Sequence, residues 1–564
     1  MLNYKRYRKN PVIYYPEREW CNKEIEKAPV WCSVDLRDGN QALIDPMVVE
    51  EKIEFFQLLL KLGFKEIEVG FPAASQIEYD FLRQLVDRKL IPDDVWIQVL
   101  SQCREEQIEK TFKAIEGIKN IIFHIYNSTS VLQRDVVFNM DKAGITDIAI
   151  RGTRWVRERA EGFPGNLILE YSPESFTGTE VEYALEICTA VQREWGASAE
   201  RRMIINLPAT VEMNTPNVYA DQIEWMSRHF EDRDSIILSI HPHNDRGTGI
   251  AATELALLAG AERVEGTLLG NGERTGNIDI LNVAYNMFSQ GIDPGLDIEN
   301  INEIIEAYER LVKMPVDDRH PYAGKLVFTA FSGSHQDAIN KGVNAMKMRN
   351  SQIWEVPYLP IDPSDIGRRY EPIVRINSQS GKGGVAFVMD TYFGFKLPKG
   401  MHKEFAGIIQ DISEHQGEVS PDEIMAAFKK NYIDRKEPLH FRKLKVDDSS
   451  FEGREAAKGS ETEFDTHVVL NYTLNGREGS FEAVGNGPID AVIRGIRETF
   501  DVHVKVLDYE EHALQGGANA QAAAYIHLLN ADDGRVTYGV GVSSNITRAS
   551  VRAMFSAINR LELL

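Results

Sequence analysis

Cysteine is scarce in this sequence, which has only Cys21, Cys32, Cys103 and Cys188 among 564 residues. No two of them form a CxxC motif, so we expect reduced thiols and exclude a disulfide scaffold or a zinc ribbon. Apolar runs long enough to span a bilayer are also missing, which excludes a transmembrane protein. The charged and aromatic start, MLNYKRYRKNPVIYYPEREW, differs from a secretory signal. These absences predict a cytoplasmic protein.

Basic residues are too few to balance the acidic ones. The chain has 63 Lys and Arg against 85 Asp and Glu, a formal net charge of -22. Non-specific nucleic-acid binding and binding to an anionic membrane both need a basic surface, so we expect neither kind of partner. The hydrophobic share of 43% and the charged share of 26% are typical of a globular protein. A chain of this length is expected to form two or three domains.

Eight short apolar runs alternate with helical patterns over about the first 300 residues. The runs are VWCSVDL, KEIEVGF, VWIQVL, IIFHIY, LILEYS, MIINLP, SIILSI and RVEGTLL. After the first run, Asp45 as the N-cap and Pro46 in the first turn predict a helix that ends at Gly63. Eight strand–helix units favour an α/β fold of the closed (β/α)8 TIM-barrel type over an open doubly wound sheet, whose glycine fingerprint is absent.

Two histidines end the seventh run, SIILSIHPHNDRGTG. Side chains two residues apart on a strand point to the same side, so His241 and His243 can bind one ligand. Chemistry in such barrels takes place at the C-terminal ends of the strands, which brings these imidazoles towards Asp38 after the first run. An oxygen of Asn277 can complete the set. Mixed oxygen and nitrogen ligands suit Mg²⁺, Mn²⁺ or Zn²⁺, and such a cation can bind a 2-oxo acid.

Other polar residues also follow the predicted strands. They are Arg37, His124, Tyr126, Glu174, Thr210 and Glu212. Arg37 beside Asp38 is predicted to bind a carboxylate or a developing oxyanion through its fork of donors. The alternative is a plain ion pair with a nearby acid, which is common in proteins.

The rest of the chain divides into linker and repeat. Residues from about 316 to 430 mix Pro, Gly and short helical pieces, which predicts linker subdomains, and a polar stretch near residue 450 predicts a flexible boundary. After it, two segments each show strand, Gly-containing turn, strand and helix, which predicts an α/β module with a ligand crevice at the repeat junction. An inert dimerisation lid is the alternative. The predicted domains are 1–30, 31–315, 316–430 and 431–564.

Eight sequence blocks together resemble the 2-isopropylmalate synthase family, over nearly the whole chain. They are DLRDGNQ, EYSPESFTGTE, NLPATVEMNTPN, HPHNDRGTG, GNGERTGN, FSGSHQDAINKG, WEVPYLPIDP and NSQSGKGG. The resemblance implies an acyltransferase that condenses acetyl-CoA with 2-oxoisovalerate and hydrolyses the thioester, which commits the product to leucine biosynthesis. The short pieces LRDG and HxHND mark only the wider metal-dependent Claisen-condensing superfamily. Citramalate, homocitrate and methylthioalkylmalate synthases are therefore the close alternatives.

The same resemblance implies roles for individual residues. The metal ligands are Asp38, His241, His243 and Asn277, with Mg²⁺ preferred over Mn²⁺ or Zn²⁺ and with K⁺ as an activator. Arg37 stabilises the oxyanion, and the oxo acid contacts His124, Glu174 and Thr210. His335 and Tyr358 reach the site from the partner in a homodimer. Either Glu174 or His335 can be the base that removes the methyl proton of acetyl-CoA, and a relay of the two is preferred. The plain alternatives are that Glu174 caps a helix and that His335 begins one, and SGKGG is left unassigned.

The resemblance also implies that the C-terminal region binds leucine as an allosteric inhibitor. GNGPID and YEEHALQGGANAQAAA resemble its binding loops, which predicts contacts from Gly487, Ile489, Tyr509, Ala520 and Ala522. Two other classes fit less well. A barrel amidohydrolase carries HxH on its first strand and needs histidines where this chain has EYSPE and NLPATVE. A leucine sensor without catalysis would lack the barrel ligands.

Overall fold

The structure is a computed structural model. It describes residue 6 and residues 10–330, 332–370, 382–416, 419–433, 435–448, 466–514 and 520–564. The predicted boundary near residue 450, the start of the SGKGG run and positions 515–519 of the predicted leucine loop lie outside the described residues. Internal contacts divide the chain into one unit of Met1–Phe328 with Ile361–Arg369 and a second of Thr329–Pro360 with Tyr370–Leu564. None of the described helices is long and apolar enough to cross a membrane.

The first unit contains a closed barrel of eight parallel strands, as the eight apolar runs predict. The strands are β1 Val30–Ser33, β2 Glu66–Gly70, β3 Trp96–Gln102, β4 Asn120–Ser128, β5 Asn166–Glu174, β6 Met203–Ala209, β7 Ile236–Pro242 and β8 Arg263–Gly266. Strand β1 pairs with both β2 and β8, with Val30 opposite Arg263, which closes the barrel. The strands are almost entirely buried because they are covered on both faces, and polar residues on several of them face the inside of the barrel. The TIM-barrel prediction is confirmed.

Helices follow the strands in the order that the barrel requires. They are α1 Val49–Lys61, α2 Gln76–Asp87, α3 Glu105–Ala114, α4 Lys142–Ala160, α5 Val181–Trp195, α6 Pro216–His229, α7 Gly249–Leu258, α8 Ile280–Phe288 and α9 Ile301–Leu311. The predicted start of α1 at Asp45 and Pro46 is wrong. The Val48 N–H is instead capped by Glu51 at 2.9 Å, while Asp45 pairs with Lys313 Nζ at 2.7 Å. The cap was missed because Val48, the N-cap residue, has no side-chain oxygen that would mark it as a cap.

The second unit combines four helices with two copies of a strand-and-helix repeat. The helices are α10 Gly333–Arg349, α11 Lys382–Phe393, α12 Lys399–Gln416 and α13 Pro421–Tyr432. The first copy is β9 Leu439–Asp448, β10 Thr466–Leu474, β11 Arg477–Gly485 and α14 Pro488–Phe500. The second copy is β12 Val504–Ala513, β13 Ala522–Asn530, β14 Val536–Ser543 and α15 Ile546–Leu561. Each copy thus has one strand more than the predicted strand–strand–helix unit.

The two copies share one hydrophobic core, which is why they form a single module. Val468 and Phe481 of the first sheet, Ile526 of the second and Met554 of α15 belong to it. Helix α15 lies very close to β14, since a Cβ built at Gly539 would stand 2.1 Å from the Ala553 carbonyl oxygen. The glycines of the run YGVGV therefore allow the helix to sit directly on the strand.

Candidate metal and substrate site

A cavity of about 180 Å³ opens at the C-terminal ends of the barrel strands. Seven of the predicted site residues line it: Arg37, Asp38, His124, Glu174, Thr210, His241 and His243. Each lies on or after a different strand, apart from Arg37 and Asp38 after β1 and from His241 and His243 at the end of β7. Barrel closure brings these separate strand ends to one place, as expected for this fold.

A buried lysine anchors the turn Asp35–Gly39, a single π-helical turn that follows β1. Lys52 on α1 has a fully buried side chain that pairs with Glu78. Its Nζ also donates to the Leu36 carbonyl oxygen at 3.1 Å, in the middle of the turn. Because the turn carries Arg37 and Asp38, this lysine helps to hold in place the segment from which both side chains enter the cavity.

Asp35 holds the same turn from its other side. Its two carboxylate oxygens accept the Leu268 N–H at 3.0 and 3.1 Å, and the Ser33 hydroxyl donates to it at 2.8 Å. Burial raises the pKa of Asp35 to about 8, although these hydrogen bonds favour the charged form. The loop after β1 is thereby joined to the loop after β8.

Four donor atoms converge beside this turn. Asp38 Oδ2 lies 3.2 Å from His241 Nε2 and 3.7 Å from His243 Nε2. Asn277 Oδ1 lies 2.9 Å from His241 Nε2, and its Nδ2 donates to the Asn271 carbonyl oxygen at 3.0 Å, so that the oxygen faces the imidazole. A cation with bonds of about 2.1 Å holds adjacent octahedral ligands about 3 Å apart, so these spacings suit one divalent ion.

The protonation of the two imidazoles also fits a cation site. Burial opposes a charge on His241, but its hydrogen bonds to Asp38 and Glu265 outweigh burial and raise its pKa to about 9. Burial and the charge on His241 lower the pKa of His243 to about 4. His241 Nε2 lies between the oxygens of Asp38 and Asn277, which is where a metal ion would bind. The donor set fits a divalent metal.

Arg37 makes the ion pairs that were the alternative to a role in binding, and it also lines the cavity. Its Nε donates to Glu68 at 2.5 Å, and its Nη1 donates to Asp38 Oδ1 at 2.8 Å. Burial opposes its charge, but the two carboxylates raise the pKa of Arg37. Burial would raise the pKa of Asp38, yet Arg37 and the two imidazoles hold it well below its usual range. The guanidinium is thus held in place with one edge towards the cavity.

His124 is buried on β4 at the bottom of the cavity. Its Nδ1 lies 2.9 Å from Glu68 Oε1, and its Nε2 lies 2.8 Å from the Ser172 hydroxyl. The carboxylate only accepts, so Nδ1 carries a hydrogen. Glu68 therefore orients both His124 and Arg37.

Glu174 and Thr210 lie on the opposite wall, at the ends of β5 and β6. The Ser128 hydroxyl donates to the Glu174 carboxylate. Thr210 Oγ1 accepts the Ser175 N–H at 3.0 Å, so its hydroxyl hydrogen can still be donated into the cavity. Glu174 ends its strand and does not cap α5, whose N-cap residue is Glu180. The helix-capping alternative for Glu174 is therefore wrong.

Glu212 does not line the cavity. It instead accepts the Arg246 N–H and the Thr248 hydroxyl, both at 2.6 Å, and so shapes the loop after β7. The cavity mouth holds Arg274, which the sequence reasoning did not single out within GNGERTGN. Its Nε donates to Asp245 at 2.7 Å, and it lines the cavity beside Glu273.

His335 and Tyr358 belong to the second unit and lie against each other. Their ring centroids are 4.1 Å apart with an interplanar angle of 27°, which is a stacked arrangement. Both side chains are exposed, and Tyr358 has a positive φ of 66°. Such a backbone conformation is costly for a bulky residue and is frequent at functional sites. His335 also lies in the first turn of α10, as its structural alternative expects.

The predicted leucine residues lie at three places in the repeat module. Gly487 and Ile489 begin α14, where Gly487 is the N-cap. Ala522 begins β13, and Ala520 lies just before it. Tyr509 is on β12, and its hydroxyl lies 2.9 Å from the Ser550 hydroxyl of α15. Each copy of the repeat thus contributes to the predicted set.

The sequence reasoning missed a layer of buried charge below the cavity. Arg263, Glu265, Glu68 and Gln98 are inside the barrel and fully buried. The signal was present, because KEIEVGF and RVEGTLL place charged residues two apart within apolar strands. Alternate residues of a barrel strand point inwards, so such charges must pair inside the barrel.

Three family descriptions match this chain. Residues 28–307 match the HMGL-like family. Residues 325–390 match the family described as alpha-isopropylmalate synthase, post-catalytic domain-like. Residues 418–562 match the LeuA allosteric (dimerisation) domain. Together the matches extend from the barrel to the last helix.

Curated relatives match from end to end. A 2-isopropylmalate synthase of Clostridium acetobutylicum is 53% identical over 564 residues, covering 99% of this chain and 100% of that protein. The protein of that name from Rhodospirillum rubrum is 51% identical over 560 residues, covering 99% and 98%. The one from Brucella suis is 51% identical over 557 residues, with the same coverage.

Proposed function

The chain belongs to the 2-isopropylmalate synthase family, and we propose that its barrel cavity condenses acetyl-CoA with 2-oxoisovalerate, giving 2-isopropylmalate and CoA after hydrolysis. One observation carries the proposal: a carboxylate, two imidazoles and an amide oxygen converge within 4 Å of their neighbours at the end of the barrel. The full-length similarity to synthases of that name supports the choice of substrates. The reaction commits its product to leucine biosynthesis, and a cytoplasmic location stays a prediction.

Four side chains would hold the metal: Asp38, His241, His243 and Asn277. Mg²⁺ is the preferred ion, with Mn²⁺ or Zn²⁺ as alternatives, and K⁺ is proposed as an activator without an assigned site. When bound, a divalent cation would polarise the 2-oxo carbonyl and make it a better electrophile.

Arg37, His124 and Thr210 would orient the oxo acid. Arg37 is fixed by Glu68 and Asp38, so it presents donors without losing side-chain freedom on binding. These donors would stabilise the negative charge that develops on the carbonyl oxygen. The Thr210 hydroxyl would donate to the carboxylate, and His124, whose Nδ1 faces Glu68 and whose Nε2 faces the Ser172 hydroxyl, would contact the oxo acid through its ring.

Glu174 and His335 would remove the methyl proton of acetyl-CoA as a relay. Glu174 lies in the cavity with its carboxylate already accepting one hydrogen bond. His335 and Tyr358 would come from the partner subunit of a homodimer. Their exposed stacked pair would then contact the barrel cavity of the other chain. The enolate carbon then bonds to the oxo carbon, and water cleaves the thioester to a carboxylate and CoA.

The repeat module would bind leucine and inhibit the enzyme from a distance. Its match to an allosteric domain supports this role. Gly487 and Ala520 leave backbone groups accessible to the charged ends of a free amino acid, and Ile489, Tyr509 and Ala522 would contact its side chain. Dimerisation through this module would link regulation to the shared active sites.

A thiol-release assay with acetyl-CoA and a panel of 2-oxo acids tests the substrate. We expect the highest kcat/KM with 2-oxoisovalerate. Pyruvate and 2-oxoglutarate are the informative competitors, because they are the acids of citramalate and homocitrate synthesis. A higher kcat/KM with either one would assign the chain to that neighbouring synthase, while the condensation chemistry would stand. Release of CoA without any oxo acid is the control for thioester hydrolysis alone.

A further inference from the structure

A buried carboxylate lies directly behind one of the proposed metal ligands. Glu265 Oε2 lies 2.7 Å from His241 Nδ1 and accepts Asn206 Nδ2 at 3.1 Å. Its other oxygen accepts hydrogen bonds from Gln98 Nε2 at 2.7 Å and from Arg263 Nη1 at 2.9 Å. All four contacts are inside the barrel, where the carboxylate is fully buried.

The two imidazoles differ in whether the protein provides a hydrogen-bond partner for Nδ1. A carboxylate only accepts, so Glu265 requires a hydrogen on His241 Nδ1 and leaves Nε2 for a metal. His243 Nδ1 makes no hydrogen bond to any residue that the structure describes. Only His241 therefore has its ring orientation and its tautomer set by the protein.

We propose that Glu265 is a positioning residue that fixes His241 as a metal ligand; the proposal rests on the proposed function. Carboxylates behind ligating histidines raise the basicity of the ring and reduce the freedom that it loses on binding. The residue does not touch the substrate or the reacting atoms. It acts on metal affinity through His241 alone.

Glu170 provides a comparison residue for a general disturbance of the buried layer around Arg263. It is a fully buried glutamate in the same layer, with Oε2 at 3.4 Å from Arg263 Nη1. Burial and the neighbouring Glu265 hold the pKa of Glu170 well above its usual range, and its closest histidine is His124, at 3.5 Å, which is not one of the proposed metal ligands. If a general disturbance of this layer were the only effect, amidation of either glutamate would change metal binding alike.

Gln98 joins this layer to the substrate side of the cavity. Its Nε2 donates to Glu265 and lies 3.1 Å from Glu68 Oε1, which orients Arg37 and His124. Glu265 therefore has hydrogen-bond partners on both sides, which keep its carboxylate from rotating. A change in the position of its oxygens would therefore also change their contact with His241. The effect on the metal is expected to be large for a residue that does not touch it.

Mn²⁺ binding to the metal-stripped full-length chain tests the proposal, with free Mn²⁺ measured by electron paramagnetic resonance. We expect Glu265→Gln to raise the Kd for Mn²⁺ about 10- to 100-fold. Glu170→Gln should stay within about threefold of the wild type. Saturating Mn²⁺ should then restore most of the kcat of Glu265→Gln, which a merely structural defect would not allow.

Circular dichroism spectra and thermal midpoints show whether the variants fold. If Glu265→Gln does not fold, Glu265→Asp decides, because it keeps the charge beside Arg263 and withdraws the oxygen from His241. A Kd within threefold of the wild type in the folded variant, or an equal rise in Glu170→Gln, overturns the proposal.

Failure of the metal assignment would look different. Asp38→Ala should abolish Mn²⁺ binding in a folded chain. Mn²⁺ binding that survives this change would place the ion elsewhere, for example at the second cluster of His124, Glu170 and Glu265. A wild type that binds no Mn²⁺ would contradict the proposed function itself, before any statement about Glu265 is tested.

Discussion

Replacement of Lys52 by Met should destabilise the barrel and weaken catalysis for separable reasons. Lys52 is fully buried, pairs with Glu78 and donates to the Leu36 carbonyl oxygen. Removing one partner of a buried ion pair costs about 3–5 kcal/mol, because the other charge is left uncompensated. The Glu78 side chain is only 17% exposed, and its Oε2 is buried without a hydrogen-bond partner among the described residues, so we expect a loss within this range, about 3–5 kcal/mol.

Urea unfolding followed by tryptophan fluorescence measures this loss. Six of the seven tryptophans lie in the first unit, so the signal reports mainly on the barrel. The double variant Lys52→Met, Glu78→Leu removes both charges and should return to within about 1–2 kcal/mol of the wild type. Its kcat/KM should stay reduced about tenfold, because the Leu36 carbonyl has lost its anchor and the turn carries Arg37 and Asp38.

Two results would refute this reasoning. A loss below about 1 kcal/mol in Lys52→Met would mean that the buried pair contributes little. Full activity in the double variant would mean that the turn after β1 does not depend on Lys52. Glu50→Gln is a matched surface control, because Glu50 pairs with Arg88 in solvent and should change neither quantity.

Three further changes test other parts of the molecule. Burial raises the pKa of Asp35 to about 8, so the neutral form stabilises the fold at low pH and this stability is lost as pH rises through about 8. Thermal midpoints at pH 6 and pH 9 should therefore differ less in Asp35→Asn than in the wild type, and an equal difference would contradict the assignment. Mixing inactive His335→Ala and Asp38→Ala chains should restore activity in heterodimers if active sites are shared, whereas verified heterodimers without activity would exclude sharing. Gly487→Trp or Ala520→Phe should relieve leucine inhibition several-fold to about a hundredfold, with oxo-acid KM unchanged, and full-strength leucine binding by calorimetry would exclude this site.

The barrel could be predicted because its evidence is local. Each strand is a short apolar run, each is followed by a helical pattern, and eight such units leave few alternatives. The start of α1 was wrong because the N-cap is Val48, whose N–H is accepted by Glu51, and an apolar N-cap residue gives no signal in a local pattern. The extra strands β9 and β12 were missed because they precede each repeated unit and only their pairing reveals them.

The residues that line the candidate cavity could be predicted from the sequence, whereas the buried residues that support them could not. His241 and His243 are two apart on a strand and face one way, so their convergence with Asp38 follows from the fold alone. Lys52, Glu68 and Glu265 were missed because their partners are set by barrel closure and by the register between strands. The stacking of His335 on Tyr358 joins a helix to a later loop, which the spacing of the two residues does not reveal.

The most direct test of the central claim is product formation by the metal-stripped enzyme. The chain is treated with chelator, dialysed and supplied with acetyl-CoA and 2-oxoisovalerate, and the products are identified by mass spectrometry. We predict no 2-isopropylmalate without metal, its formation with CoA when Mg²⁺ or Mn²⁺ is added, and none from a folded Asp38→Ala chain under any condition. Full activity after verified metal removal, or in Asp38→Ala, would contradict a metal-dependent condensation at this site.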